Sequence, residues 1–78
     1  MKPEQAPGLL LNDWRRTVGL SQEEVALIVG VSRVAVSHWE TSRSAPSGSK
    51  LHALFGALEL SPKQSLEYVK AISDRGLI

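Results

Sequence analysis

Residues 20–40, LSQEEVALIVGVSRVAVSHWE, decide how this chain folds. Ser21 and Glu24 stand in S-x-x-E spacing. In that spacing the serine and glutamate side chains satisfy backbone N–H groups that a helix start leaves unpaired. Val25, Ile28 and Val29 follow at helical spacing and are expected on one inward face, with Ala26 small enough for close helix approach. Gly30 ends the helix, because glycine enters the left-handed conformation without steric cost. Val31 reads as a buried turn residue. Ser32 then caps a second helix expected to run to about Ser42. Its inner face is Ala35, Val36 and Trp39; its outer face is Arg33, Val34, Ser37 and His38.

Two short helices crossing steeply over a tight turn form a helix-turn-helix, a motif whose second helix reads the major groove of DNA. On the N-terminal side, a helix is expected over residues 9–17, with Leu10, Leu11, Trp14 and Val18 inward and Gly19 as its stop. On the C-terminal side, residues 41–46 read as a polar loop. Ser47 or Ser49 caps a fourth helix that buries Leu51, Leu54, Phe55 and Leu58. Ser61-Pro62-Lys63-Gln64 is a second capping box, with proline at the first helical position where its missing N–H costs nothing. The fifth helix is expected to reach about Asp74, with Gly76 stopping it. Repeats, low-complexity segments and strand-like alternation are absent from the sequence. The expected organisation is all-α with five helices. A flexible arm covers 1–8, a helix-turn-helix domain 9–60, and a C-terminal helix and tail 61–78.

Composition narrows the function. A chain of 78 residues makes one small domain. At this size only about 60% of the unfolded surface is buried, so self-association helps stability. The absence of cysteine excludes disulfides, thiolate metal sites and cysteine nucleophiles, and fits the expected cytoplasmic location. No apolar run approaches the roughly 18 residues that suggest a membrane span, and residues 1–8 lack a signal peptide's apolar region. His38 and His52 lie on different helices, with His52 expected on the outer face of the fourth, so no metal site is expected. Ser37 and His38 are adjacent on a helix and point about 100° apart, which rules them out as a nucleophile–base pair. Enzymatic activity and a cofactor are therefore not expected. The formal net charge is only +1, but it is unevenly placed: residues 32–50 hold Arg33, Arg43 and Lys50 against the single acid Glu40. A local basic face matters more to DNA than the total.

The pattern R-x3-GLSQEE-VA-x3-GVS-x2-AVS-x-WE, followed by a loop, a proline and L-x2-L-x2-AL, resembles the Cro/C1-type helix-turn-helix domain over residues 11–60. The resemblance implies the lambda-repressor-like fold of phage repressors and Cro proteins, and double-stranded DNA as partner. The segment GVSRVAVSHWETSRSAPSG is especially similar to a lambdoid phage repressor subgroup. Arg33, Val34, Ser37 and His38 become the expected base contacts. Arginine can bind guanine bidentately and a methyl can pack on thymine; in the resembled subgroup a valine at the position of Val34 contacts thymine methyls. Gln22, Ser32, Arg43, Ser44 and Lys50 are the expected phosphate contacts. In the family a glutamine at the position of Gln22 also braces a side chain of the recognition helix. The resemblance further implies a structural ion pair between Arg15 and Glu40. Thr41-Ser42 departs from the family's Asn-Gly, so Ser42 is expected to be strained if the same turn forms.

The fifth helix carries Leu66, Val69 and Ile72 at helical spacing, and Leu77 and Ile78 end the sequence apolar. Leu66, Val69, Ile72 and Leu77 are accordingly expected to join two copies into a homodimer on a pseudo-palindromic operator. The expected function is a sequence-specific transcriptional repressor or autoregulator, with no small-molecule ligand, whose occupancy follows its own concentration. An antitoxin with a toxin partner, and a protein-interaction module on the same fold, are the alternatives.

Overall fold

Both capping boxes close. Ser21 Oγ accepts the Glu24 N–H at 3.0 Å while Glu24 Oε1 accepts the Ser21 N–H at 2.8 Å. Ser61 and Gln64 form the same reciprocal pair. In the computed structural model these boxes open two of five helices, α1 (Pro7–Val18), α2 (Gln22–Val29), α3 (Arg33–Glu40), α4 (Gly48–Ala57) and α5 (Pro62–Asp74). The structure describes residues 6–78, and no strand occurs among them. None of these helices is long and apolar enough to cross a membrane.

Each helix gives side chains to one core: Leu11 from α1, Val25 from α2, Val36 and Trp39 from α3, Leu54 from α4, Tyr68 and Ile72 from α5. Burying each large apolar side chain contributes about 1.5–3 kcal/mol. α1 packs on α3 and α5, and α2 packs on α3 and α4, so α3 is held from two sides with its third face open. Between α2 and α3, Gly30 adopts φ 84° and its N–H bonds to Ala26 O. Ser32 Oγ accepts the Ala35 N–H at 3.1 Å to start α3.

Several expectations need correction. α1 begins at Pro7 rather than residue 9, and Pro7 and Gly8 are buried. The rest of the expected arm, residues 1–5, lies outside the described residues. α3 stops at Glu40, because Thr41 and Ser42 leave helical geometry and Ser42 turns to φ 61°. Ile28 is exposed; Ala26 takes the inward place beside Val25 and Val29. Leu51 and Phe55 are half-buried, and Ser47 caps α4 without a side-chain hydrogen bond.

The apolar stripe of α5 divides. Ile72 is fully buried in the monomer's own core, so it cannot line a contact between copies. The Leu77 N–H bonds to Ile72 O at 2.8 Å. This bond folds the tail back and packs Leu77, half-buried, against the same core. Leu66 and Ile78 stay exposed, and Val69 is half-buried.

Candidate nucleic-acid interface

The open face of α3 carries the four residues expected there. Arg33 and Val34 are exposed, and Ser37 and His38 are half-buried, on the side opposite Val36 and Trp39. Val34 leaves 54% of its surface in solvent although it is apolar. At 3.6 residues per turn, positions 33, 34, 37 and 38 form two neighbouring pairs, one helical turn apart. Donors, acceptors and a methyl surface are thus brought together on one ridge.

The acid of this region is taken out of play. Glu40 accepts Arg15 Nε at 2.6 Å on Oε2. On Oε1 it accepts Asn12 Nδ2 at 2.9 Å, Gln22 Nε2 at 3.0 Å and Arg15 Nη2 at 3.2 Å. The two side chains of the Arg15–Glu40 pair are only 13% and 6% exposed. Burial pushes the Glu40 carboxyl upward. The hydrogen bonds from Arg15, Asn12 and Gln22, with the charge of Arg15, outweigh it and hold the group below its ordinary value. Arg15 Nη1 also reaches Leu20 O at 2.8 Å, tying the α1–α2 turn into the same network. What is left to face solvent between residues 32 and 50 is cationic: Arg33, Arg43 and Lys50.

Gln22 links this network to the ridge. While its amide nitrogen is held by Glu40, its oxygen accepts Arg33 Nη1 at 3.4 Å, a weak bond that aims the guanidinium along α2. Asn12 was not picked out from the sequence. The signal was available, since position 12 is i−3 from Arg15 and so shares its helix face.

The expected phosphate contacts do not form one cluster of equal members. Ser32 is occupied as the α3 cap. Arg43 is exposed, and its backbone N–H bonds to His38 O at 2.9 Å, fixing the loop after α3. Ser44 is half-buried beside it. Lys50 instead reaches Val29 O at 3.5 Å and Gly30 O at 3.4 Å. It therefore complements the negative C-terminal end of α2, a role that solubility or phosphate binding alone does not describe. His52 is exposed on α4.

The turn after α3 is clamped by the N-terminus of α1. Ser42 Oγ accepts the Gly8 N–H at 3.0 Å. A Cβ at position 8 would lie 2.2 Å from Glu40 O, which makes glycine necessary for this approach.

A family model described as helix-turn-helix matches residues 11–65. Repressor protein C2 of Salmonella phage P22 is 42% identical over 53 residues. That match covers 68% of this chain and 24% of the repressor, so the chain spans about a quarter of that relative's length. The solution structure of the P22 c2 repressor DNA-binding domain superposes with a TM-score of 0.75 at 36% identity, covering 85% of this chain and 87% of that one. The crystal structure of the P22 c2 repressor in complex with synthetic operator 9T in the presence of Tl+ gives 0.73 at 37% identity, covering 80% and 94%. By sequence match and by fold, this chain belongs to the Cro/C1-type helix-turn-helix family.

Proposed function

We propose that this chain is a sequence-specific binder of double-stranded DNA that represses transcription, rather than an enzyme, and that α3 is its reading helix. The observation that carries the reading is the open face of α3. Arg33, Val34, Ser37 and His38 project from a helix held on two other sides, while the nearby acid Glu40 is neutralised by Arg15. Such a face suits the major groove, where hydrogen-bond donors, acceptors and thymine methyls distinguish the base pairs. The operator complex of the P22 c2 repressor supports the reading.

Gln22, Ser32, Arg43, Ser44 and Lys50 surround the ridge and set its register against the phosphates. Gln22 serves twice, as phosphate contact and as brace for Arg33. Two copies act together on a pseudo-palindromic site, joined through the apolar surface that Ile72 leaves to Val69, Leu77 and Ile78 with Leu66 at its margin. A cytoplasmic location fits this reading.

Selection of bound sequences from a random duplex pool tests this. An enriched motif with two related half-sites, about one helical turn apart, is the expected result. A pool that stays random after repeated rounds would overturn the proposal.

A further inference from the structure

Val34 is the one exposed large apolar side chain on α3. It is the second residue of that helix, and the N-terminal residues of a reading helix are those that meet base edges. A valine in a helix holds essentially one χ1 rotamer, so its two methyl groups point in a fixed direction. The side chains one turn on, Ser37 at i+3 and His38 at i+4, form no hydrogen bond with the other described residues. A serine hydroxyl donates or accepts, and a neutral imidazole does one at each nitrogen. Neither fixes a donor or an acceptor on the adjoining base. What the ridge demands beside Val34 is therefore an apolar group rather than one hydrogen-bond pattern.

In the major groove the apolar group of a base is the C5-methyl of thymine. Cytosine methylated at C5 carries the same methyl at the same ring position. It differs in presenting an amino donor where thymine presents the O4 acceptor. We propose that Val34 reads the C5-methyl itself, so that 5-methylcytosine stands in for thymine at its position and affinity responds to cytosine methylation of the DNA. The inference rests on α3 being the reading helix. A site that differs from the best one by cytosine for thymine is bound weakly when bare and more tightly when methylated. Arg33, the neighbouring donor, does not oppose the exchange, because the guanine paired with 5-methylcytosine offers the O6 and N7 acceptors that arginine binds.

The test uses the site selected from the random pool. Uracil, which is thymine without the methyl, replaces each thymine of the half-site in turn, and binding by wild type and by Val34→Ala is measured. At one position the exchange should cost the wild type about fourfold per half-site, the weight of one buried methyl group, and should cost Val34→Ala almost nothing. At that position a cytosine–guanine pair is then compared with a 5-methylcytosine–guanine pair. The wild type should bind the methylated duplex about fourfold more tightly per half-site, and Val34→Ala should bind the two alike. A half-site in which uracil costs nothing anywhere, or a methylated duplex bound no better than the bare one, would overturn the proposal. An equal gain in Val34→Ala would overturn it too, assigning the effect of the methyl to the shape or stiffness of the DNA. These results leave α3 as the reading helix so long as the selected site is still preferred and Arg33→Ala lowers that preference. Loss of all sequence preference would instead remove the reading itself, and this inference with it.

Discussion

The Gly8 N–H donates to Ser42 Oγ at 3.0 Å, joining positions 34 residues apart. The bond fastens the first turn of α1 to the turn that follows α3. Ser42 sits at φ 61°, which costs a non-glycine residue roughly 1–2 kcal/mol. Its hydroxyl returns about 0.5–1.5 kcal/mol as a hydrogen-bond acceptor. Ser42→Ala keeps the strain and loses the bond, whereas Ser42→Gly loses the bond and the strain. Urea unfolding should therefore find Ser42→Ala the less stable of the two. The reverse order would mean that φ 61° at this position carries no strain for glycine to relieve.

Gly8→Ala attacks the same junction from the other side. Its Cβ would meet Glu40 O at 2.2 Å and Ser42 N at 2.8 Å, both backbone atoms that cannot swing aside. Overpacking of this kind costs about 1–3 kcal/mol. The variant should melt lower and bind DNA less tightly, since the end of α3 must move. An unchanged melting temperature would mean that α1 can shift freely.

Glu40→Gln should destabilise far more than Lys50→Gln. Removing one charge from a shielded pair leaves its partner uncompensated, at about 3–5 kcal/mol. Lys50 is exposed and its two contacts are long, so its loss should cost under about 1 kcal/mol. The depressed Glu40 carboxyl also sets a pH signature. As pH falls below about 4.3, the unfolded glutamate takes up its proton first. Stability present above that pH is then lost down to the lower folded value. Glu40→Gln should flatten this acid limb of the unfolding curve. A variant with the wild-type acid limb would assign the titration elsewhere.

Tyr68 contributes an opposite case. Its ring packs edge-on to Phe55 at 6.2 Å, but its hydroxyl is buried without a partner among the described residues. An unsatisfied buried hydroxyl costs roughly 1–3 kcal/mol, so Tyr68→Phe should leave stability equal or raise it. Burial also pushes the phenol above its ordinary value. The unfolded tyrosine loses its proton first as pH rises past about 10, so the wild type loses stability there. Tyr68→Phe should lose less. A destabilised Tyr68→Phe would show that the hydroxyl has a bond worth keeping.

Local signals were legible in the sequence and distant ones were not. The two capping boxes and the limits of α5 follow from residues within four positions of one another. The Arg15–Glu40 pair was legible only through the family resemblance. The placement of Gly8 depends on Glu40 and Ser42, far along the chain, and nothing near Pro7 announces it. Ile28 and Ile72 show the same limit. Each lies at an apolar position of its helix, but which face turns inward is decided by the neighbouring helices. That choice exposes Ile28 and buries Ile72.

The open face of α3 yields the last prediction. Arg33→Ala and Val34→Ala remove exposed side chains, so neither should lower the melting temperature by much. Each should weaken binding to the selected site by about 1–3 kcal/mol and relax preference at one position per half-site. Arg33→Ala should relax a guanine preference, and Val34→Ala a thymine preference. Affinity for random duplex should barely change. Arg43→Gln should behave in the opposite way. It should weaken specific and random DNA alike and flatten the plot of log affinity against log salt by about one unit. Equal loss on both DNAs for Arg33→Ala would make Arg33 a phosphate contact. Gln22→Ala gives the linking check: with its brace gone, Arg33 should discriminate less although it remains in place. If specificity survives Gln22→Ala intact, the 3.4 Å bond between them does not prepare Arg33 for reading.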